Sequence, residues 1–169
     1  MIIPRAILAA GLVAISVHAT TAEEAPACAS FAWSVARERA AFAAPNLLAL
    51  ASGSALPTDA GAAQLTLKPA AEAALPVPSE RPMKADTYAG FVTVTVPAAG
   101  TYQVTLSDEA WIDVSQDGRA TLQPAAHSGK TGCPGVRKSV RFALDAGPVT
   151  IEISRALSAQ LKLGVLKAE

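Results

Sequence analysis

Few side chains in this sequence have the type and spacing to do chemistry, and most of them crowd into the stretch from Asp108 to Asp117. Asp113 and Asp117 lie four apart across a turn, and a carboxylate pair is the minimum set for glycosidase-type acid and base work. The favoured reading is plainer. Asp113 is an exposed strand position, and Asp117 is a turn former, because Asp-Gly makes tight turns. Asp108, Glu109, Asp113 and Asp117 offer oxygen ligands to calcium, but their spacing is not that of a helix–loop–helix calcium loop. His127 and Ser128 are neighbours, and adjacent loop residues rarely point at each other, so no nucleophile–base pair follows. No catalytic residue, metal or cofactor is expected.

Two binding features remain. Trp111 precedes Ile112 and Val114 of the buried face, so strict alternation puts it on the opposite face with Asp113 and Ser115. There it could stack on a sugar or peptide, with Asp113, Gln116 and Asp117 supplying hydrogen bonds. The competing and favoured expectation is that a neighbouring segment covers the ring, for example the N-terminal stretch that carries Phe31 and Trp33. Arg137, Lys138 and Arg141 form a basic cluster. Most such clusters are solvated faces, and a minority bind an anionic polymer.

The elements that must position these residues are mainly strands. Pro97 to Arg119 reads as two strands joined by the acidic turn Ser107-Asp108-Glu109, with a second turn at Asp117-Gly118. In the first strand Tyr102, Val104 and Leu106 alternate with Thr101, Gln103 and Thr105, the period of a half-buried strand. Tyr88 to Val96 is the clearest strand in the chain. Val136, Val140, Phe142 and Leu144 face inward in another, although Lys138 falls in the same register. Val149, Ile151 and Ile153 form one face of the next strand, and Leu161, Leu163 and Val165 one face of the last. Gln64 to Lys68 alternates briefly, and Glu72 to Pro76 is a candidate short strand. Pro76, Pro78 and Pro82 keep the following segment extended. Ala29 to Leu50 is mostly helical, with Ser34 as a cap and Pro45 as its end; Leu47 to Leu50 adds a short turn, and Ala51 to Ala62 is a linker. The expected fold is mainly β, an antiparallel β-sandwich or jelly roll with a short N-terminal helix.

Residues 1–22 read as a secretory leader. Arg5 precedes a short apolar run, and the small residues at Val17-His18-Ala19 and Thr20-Thr21-Ala22 offer cleavage after Ala19 or after Ala22. The run is too short to span a bilayer, which needs about 20 apolar residues. The mature protein is therefore expected in the periplasm or outside the cell, with no membrane span. Removing residues 1–22 from 169 leaves about 147, the usual size of one domain. The division expected is a leader at 1–22, a helical segment and linker at 23–62, and a β-sandwich at 63–169. The mature chain carries one more acidic than basic residue and no basic tract, which argues against nucleic acid. Cys28 and Cys133 are the only cysteines, and an even pair in an exported protein reads as a disulfide.

AGTYQVTLSDEAWIDVSQDG followed by KSVRFALDAGPVTIEIS resembles secreted β-sandwich modules of the PA14 and bacterial pre-peptidase C-terminal kinds, over roughly Tyr88 to Ile153. With the leader, YAGFVTV and CPGVRKSVRFALDAG, the chain also resembles a group of short exported proteins of alphaproteobacteria. That group has no established activity, although some members carry a homogentisate 1,2-dioxygenase label. Iron in such oxygenases needs two histidines and a carboxylate, and the mature residues include only His127, since His18 lies in the leader. The function these readings imply is a non-catalytic binding or scaffolding module at the cell envelope, holding a carbohydrate, peptide or protein. The alternatives are an enzyme of unrecognised type and a subunit of an envelope assembly.

Overall fold

The structure, a computed structural model, describes residues 26–169. The leader and both cleavage positions lie outside the described residues. The protein is mainly β, as the alternating patterns require, and two sheets face each other. The first runs β1 (Leu48–Ala51), β3 (Ala62–Thr66), β11 (Gln160–Lys167), β6 (Gly100–Leu106), β9 (Lys138–Leu144), β8 (Ala126–Gly129). The second runs β2 (Ala55–Leu56), β5 (Tyr88–Val96), β10 (Gly147–Ala156), β7 (Trp111–Ser115), with β4 (Lys68–Pro69) also on β5. Pairing is antiparallel except for β1 on β3 and β2 on β5. Val92, Val104, Val114, Phe142, Ile151 and Leu163 fill the space between the sheets and are at most 1 % exposed.

Alternation correctly marks the inward positions, but the strand partners differ from expectation. β6 and β7 were expected as a pair across the acidic turn; they lie in opposite sheets, β6 between β11 and β9, and β7 on β10. Residues 107–110 therefore form an arch. The Ser107 amide donates to the Lys162 carbonyl at 3.0 Å, and the Lys162 amide donates to the Ser107 hydroxyl at 2.8 Å, which ties the arch to β11. The Asp117-Gly118 turn is present, with Gly118 at φ +67°; after it the Leu122 amide donates to the Val114 carbonyl at 2.7 Å, but no second strand forms on β7 and the chain passes to β8 in the first sheet.

The N-terminal segment is less helical than its composition suggests. Helix α1 spans Pro26–Ala29 and α2 spans Ala36–Phe42. The expected turn at Leu47–Leu50 is instead β1, and the expected linker contributes β2. Glu72 to Pro76 is not a strand; a 3-10 turn, Ala70–Glu72, leads into an irregular segment. The α2 segment covers the outer face of the first sheet. Trp33 donates its indole hydrogen to the Ser139 hydroxyl at 3.1 Å, and the Glu38 carboxylate accepts from the Gln103 amide. Gly164 of β11 leaves room for the Phe42 ring, which would stand 3.3 Å from an added Cβ. Phe31, Val35, Phe42 and Val136 form a second small core around the Cys28–Cys133 disulfide. Burial of Gln103, Thr105 and Ser139 follows from this cover rather than from the sandwich interior.

Candidate functional site

The outer face of the second sheet carries polar side chains in cross-strand register. Ser115 lies opposite Thr150, Asp113 opposite Glu152, and Trp111 opposite Ser154. A proline-kept extended segment, residues 76–82, lies across this face. The Val77 amide donates to Glu152 Oε1 at 2.8 Å. The Ser79 hydroxyl and the Glu80 amide donate to Asp113 Oδ2 at 2.7 and 3.2 Å. Asp113 Oδ1 accepts the Trp111 indole hydrogen at 2.9 Å. Two carboxylates are thus buried side by side, Asp113 at 3 % and Glu152 at 2 % exposure. Burial pushes the Glu152 carboxyl up, and the Asp113 charge adds to it against the Val77 hydrogen bond.

Trp111 is half-buried, and the covering segment is 76–82, not the N-terminal one. Arg81 places its guanidinium 3.8 Å from the ring centroid, and Lys138 its ammonium 5.0 Å away, both cation–π distances. The alignment of Trp111 with Asp113 is real, but Asp113 is committed to the strap and the indole. Gln116 is engaged elsewhere, donating to the Asp145 carbonyl at 2.9 Å and accepting from the Asp145 amide at 3.0 Å. Asp117 closes its own turn. Its Oδ1 accepts from the Ala120 and Arg119 amides and the Ser115 hydroxyl, and those bonds, led by Ala120, hold its carboxyl below the usual aspartate value.

The basic cluster is divided. Arg141, on the outer face of the first sheet, sits 4.3 Å over the Trp33 ring and donates twice to Gln103 Oε1. Arg137 pairs with Glu109 at 2.6 Å. Lys138 alone follows the inward register and reaches the end of the sandwich, donating to the Ala110 carbonyl at 3.0 Å. Burial lowers its ammonium below the usual lysine value. Arg81 and Arg137 push the same way, while Glu109 and Asp113 oppose them.

Two clefts open at this end, where β5, β7 and β9 begin and β10 finishes. The first, about 290 Å³, is lined by Arg81, Lys84, Lys138 and Arg155 around Trp111, with Glu109 as its one acid. The second, about 180 Å³, has Ile112, Leu122, Pro124 and Val140 for walls, with His127 among the residues around it. Among the described residues, none of Arg81, Lys84, Lys138 and Arg155 has a carboxylate within ion-pair distance. Arg155 has φ +58°, a left-handed value rare outside glycine and asparagine, beside the β-bulge between Ile153 and Ala156. The bulge releases Arg155 from the inward register that Val149, Ile151 and Ile153 set.

Sequence reasoning did not find Arg81, Lys84 or Arg155. The first two lie in a segment without periodicity. Arg155 and Lys138 did carry a signal, since each is a charged residue at an apolar register position. Ser128 accepts from the Ala32 amide at 3.1 Å while His127 is exposed, so the two do not form a pair. Among the described residues no group of three or more His, Cys, Asp or Glu side chains converges to hold a metal ion. No helix of the described residues is long and apolar enough to cross a membrane, and the Cys28–Cys133 disulfide suits an oxidising compartment. No protein-family model matches the chain, and no curated protein matches it.

Proposed function

We propose that the protein is an exported, non-catalytic binding module of the cell envelope, in keeping with its resemblance to short exported alphaproteobacterial proteins. Its ligand is an envelope carbohydrate, peptide or protein that presents negative charge to the clefts around Trp111. One observation carries this reading. Four basic side chains without ion-pair partners among the described residues line one cleft, two of them over the Trp111 ring, in a chain whose formal net charge is zero. Cations so arranged repel each other, and an anion relieves that repulsion while gaining charge-assisted hydrogen bonds. Asp113 supports the site through the strap rather than contacting the ligand, and Gln116 and Asp117 serve the turns beyond the far end of β7.

An amide and indole NMR titration of the mature protein with inorganic phosphate, at constant ionic strength, tests the reading. Saturable shifts should concentrate at Trp111 Nε1, Lys138 and Arg155. Shifts absent, or spread evenly over the surface, would remove the site. Stoichiometric iron with oxygen-dependent cleavage of homogentisate would overturn the non-catalytic assignment.

A further inference from the structure

The two clefts adjoin and differ in chemistry. Arg81, Trp111 and Lys138 line both. On one side the remaining charges are Lys84, Arg155 and Glu109, and Glu109 is already paired with Arg137. On the other Ile112, Leu122, Pro124 and Val140 make an aliphatic wall, with Leu122 half-buried and Pro124 exposed, and Glu80 and His127 stand at its edge. Lys138 stands at the boundary, half-buried in a core-facing register with a single carbonyl partner. Sites for drug-sized ligands span roughly 300–1,000 Å³. The first cleft, at about 290 Å³, lies at the lower edge of that range, and the second, about 180 Å³, shares three of its wall residues.

We propose that the part of the ligand the paired clefts take is an amphiphilic anionic group, a phosphate or carboxylate carrying a short apolar chain. The head sits among Arg81, Lys84, Lys138 and Arg155, and the chain lies against Leu122 and Pro124. The proposal rests on the reading that the Trp111 clefts are the binding site. Guanidinium groups suit the head because they present paired donors to phosphate and carboxylate oxygens. The left-handed backbone at Arg155 is a local strain of the kind that persists where a side chain must be aimed. Arg81 over the indole places one cation where head and chain would join.

Isothermal titration of the mature, disulfide-bonded protein with inorganic phosphate, hexyl phosphate and hexan-1-ol separates the parts. Each methylene withdrawn from water contributes about fourfold in affinity, so hexyl phosphate should bind at least about tenfold more tightly than phosphate, with no saturable binding of hexan-1-ol. Arg155→Ala should weaken both phosphates by about tenfold. Leu122→Ser should reduce hexyl phosphate to the affinity of phosphate, and Pro124→Ser, at an exposed position, should reduce it in the same direction should Leu122→Ser fail to fold. Equal affinity for the two phosphates overturns the amphiphile and leaves the anion site standing. Hexan-1-ol binding as tightly as hexyl phosphate overturns the anionic head. Binding of neither phosphate overturns both this proposal and the site beneath it.

Discussion

Replacing Asp113 with alanine strands three donors at once: the Ser79 hydroxyl, the Glu80 amide and the Trp111 indole. Hydrogen bonds to a charged acceptor contribute roughly 1.5–3 kcal/mol each. The whole is smaller here for two reasons. Glu80 is exposed and Trp111 half-buried, so water satisfies part of what they lose. Glu152 stands directly opposite with like charge, and that repulsion ends with the substitution. The expected net loss is about 2–4 kcal/mol. Urea denaturation of the mature, disulfide-bonded protein at neutral pH reads it. At a slope of roughly 2 kcal/mol/M the midpoint should fall by about 1–2 M. Ser79→Ala alone should cost about 1 kcal/mol, and a double-mutant cycle should show the two coupled by at least about 0.5 kcal/mol. A midpoint shift under about 0.3 M would refute the account of Asp113 as the anchor of the 76–82 strap. Loss of ligand binding without loss of stability would return Asp113 to the role of ligand contact.

Three further outcomes are expected. Mass spectrometry of the mature protein should show a gain of two hydrogens on reduction and a Cys28–Cys133 cross-linked peptide; replacing both cysteines with alanine should cost up to about 4–5 kcal/mol in the chain-entropy account of a loop of this length, and two alkylatable thiols in freshly isolated protein would refute the pairing. Glu152 has a carboxyl raised above the ordinary value of 4.5, so between that value and its raised native one the folded state holds a proton the unfolded chain has released, and stability falls as pH rises through the window. Glu152→Gln keeps an acceptor for the Val77 amide and should raise the neutral-pH midpoint while flattening that slope; an unchanged slope would refute the assignment. Gly90→Ala should lower stability by about 1–3 kcal/mol, because its Cβ would stand 2.7 Å from the Ser52 hydroxyl and 3.0 Å from Leu67; a thermal midpoint unchanged from the parent would show that Ser52 moves aside without cost.

The sequence by itself carried the strand class, the inward faces and the covalent pairing. Period two in Tyr88–Val96, Tyr102–Leu106 and Val149–Ile153 names the buried face of each strand because side chains alternate across a pleat whatever lies beside it. Two cysteines in a chain whose first residues read as a secretory leader leave one pairing to draw, and Cys28 and Cys133 make it. Alternation cannot say which strand is the neighbour. A hairpin and an arch both turn Leu106 and Ile112 inward, and backbone hydrogen bonds between strands do not depend on side-chain identity, so the separation of β6 from β7 needed the folded sheets. The cover over each outer face was hidden for a related reason. Gln103, Thr105, Asp113 and Glu152 read as solvent-facing, and they are buried only because chain distant in sequence crosses them. The clefts belong wholly to tertiary structure. Arg81, Trp111, Lys138 and Arg155 come from four separate segments, and only the strap, the β10 bulge and the end of the sandwich bring them to one cleft. Charge repulsion among them is a property of distance in space, which local sequence pattern does not encode.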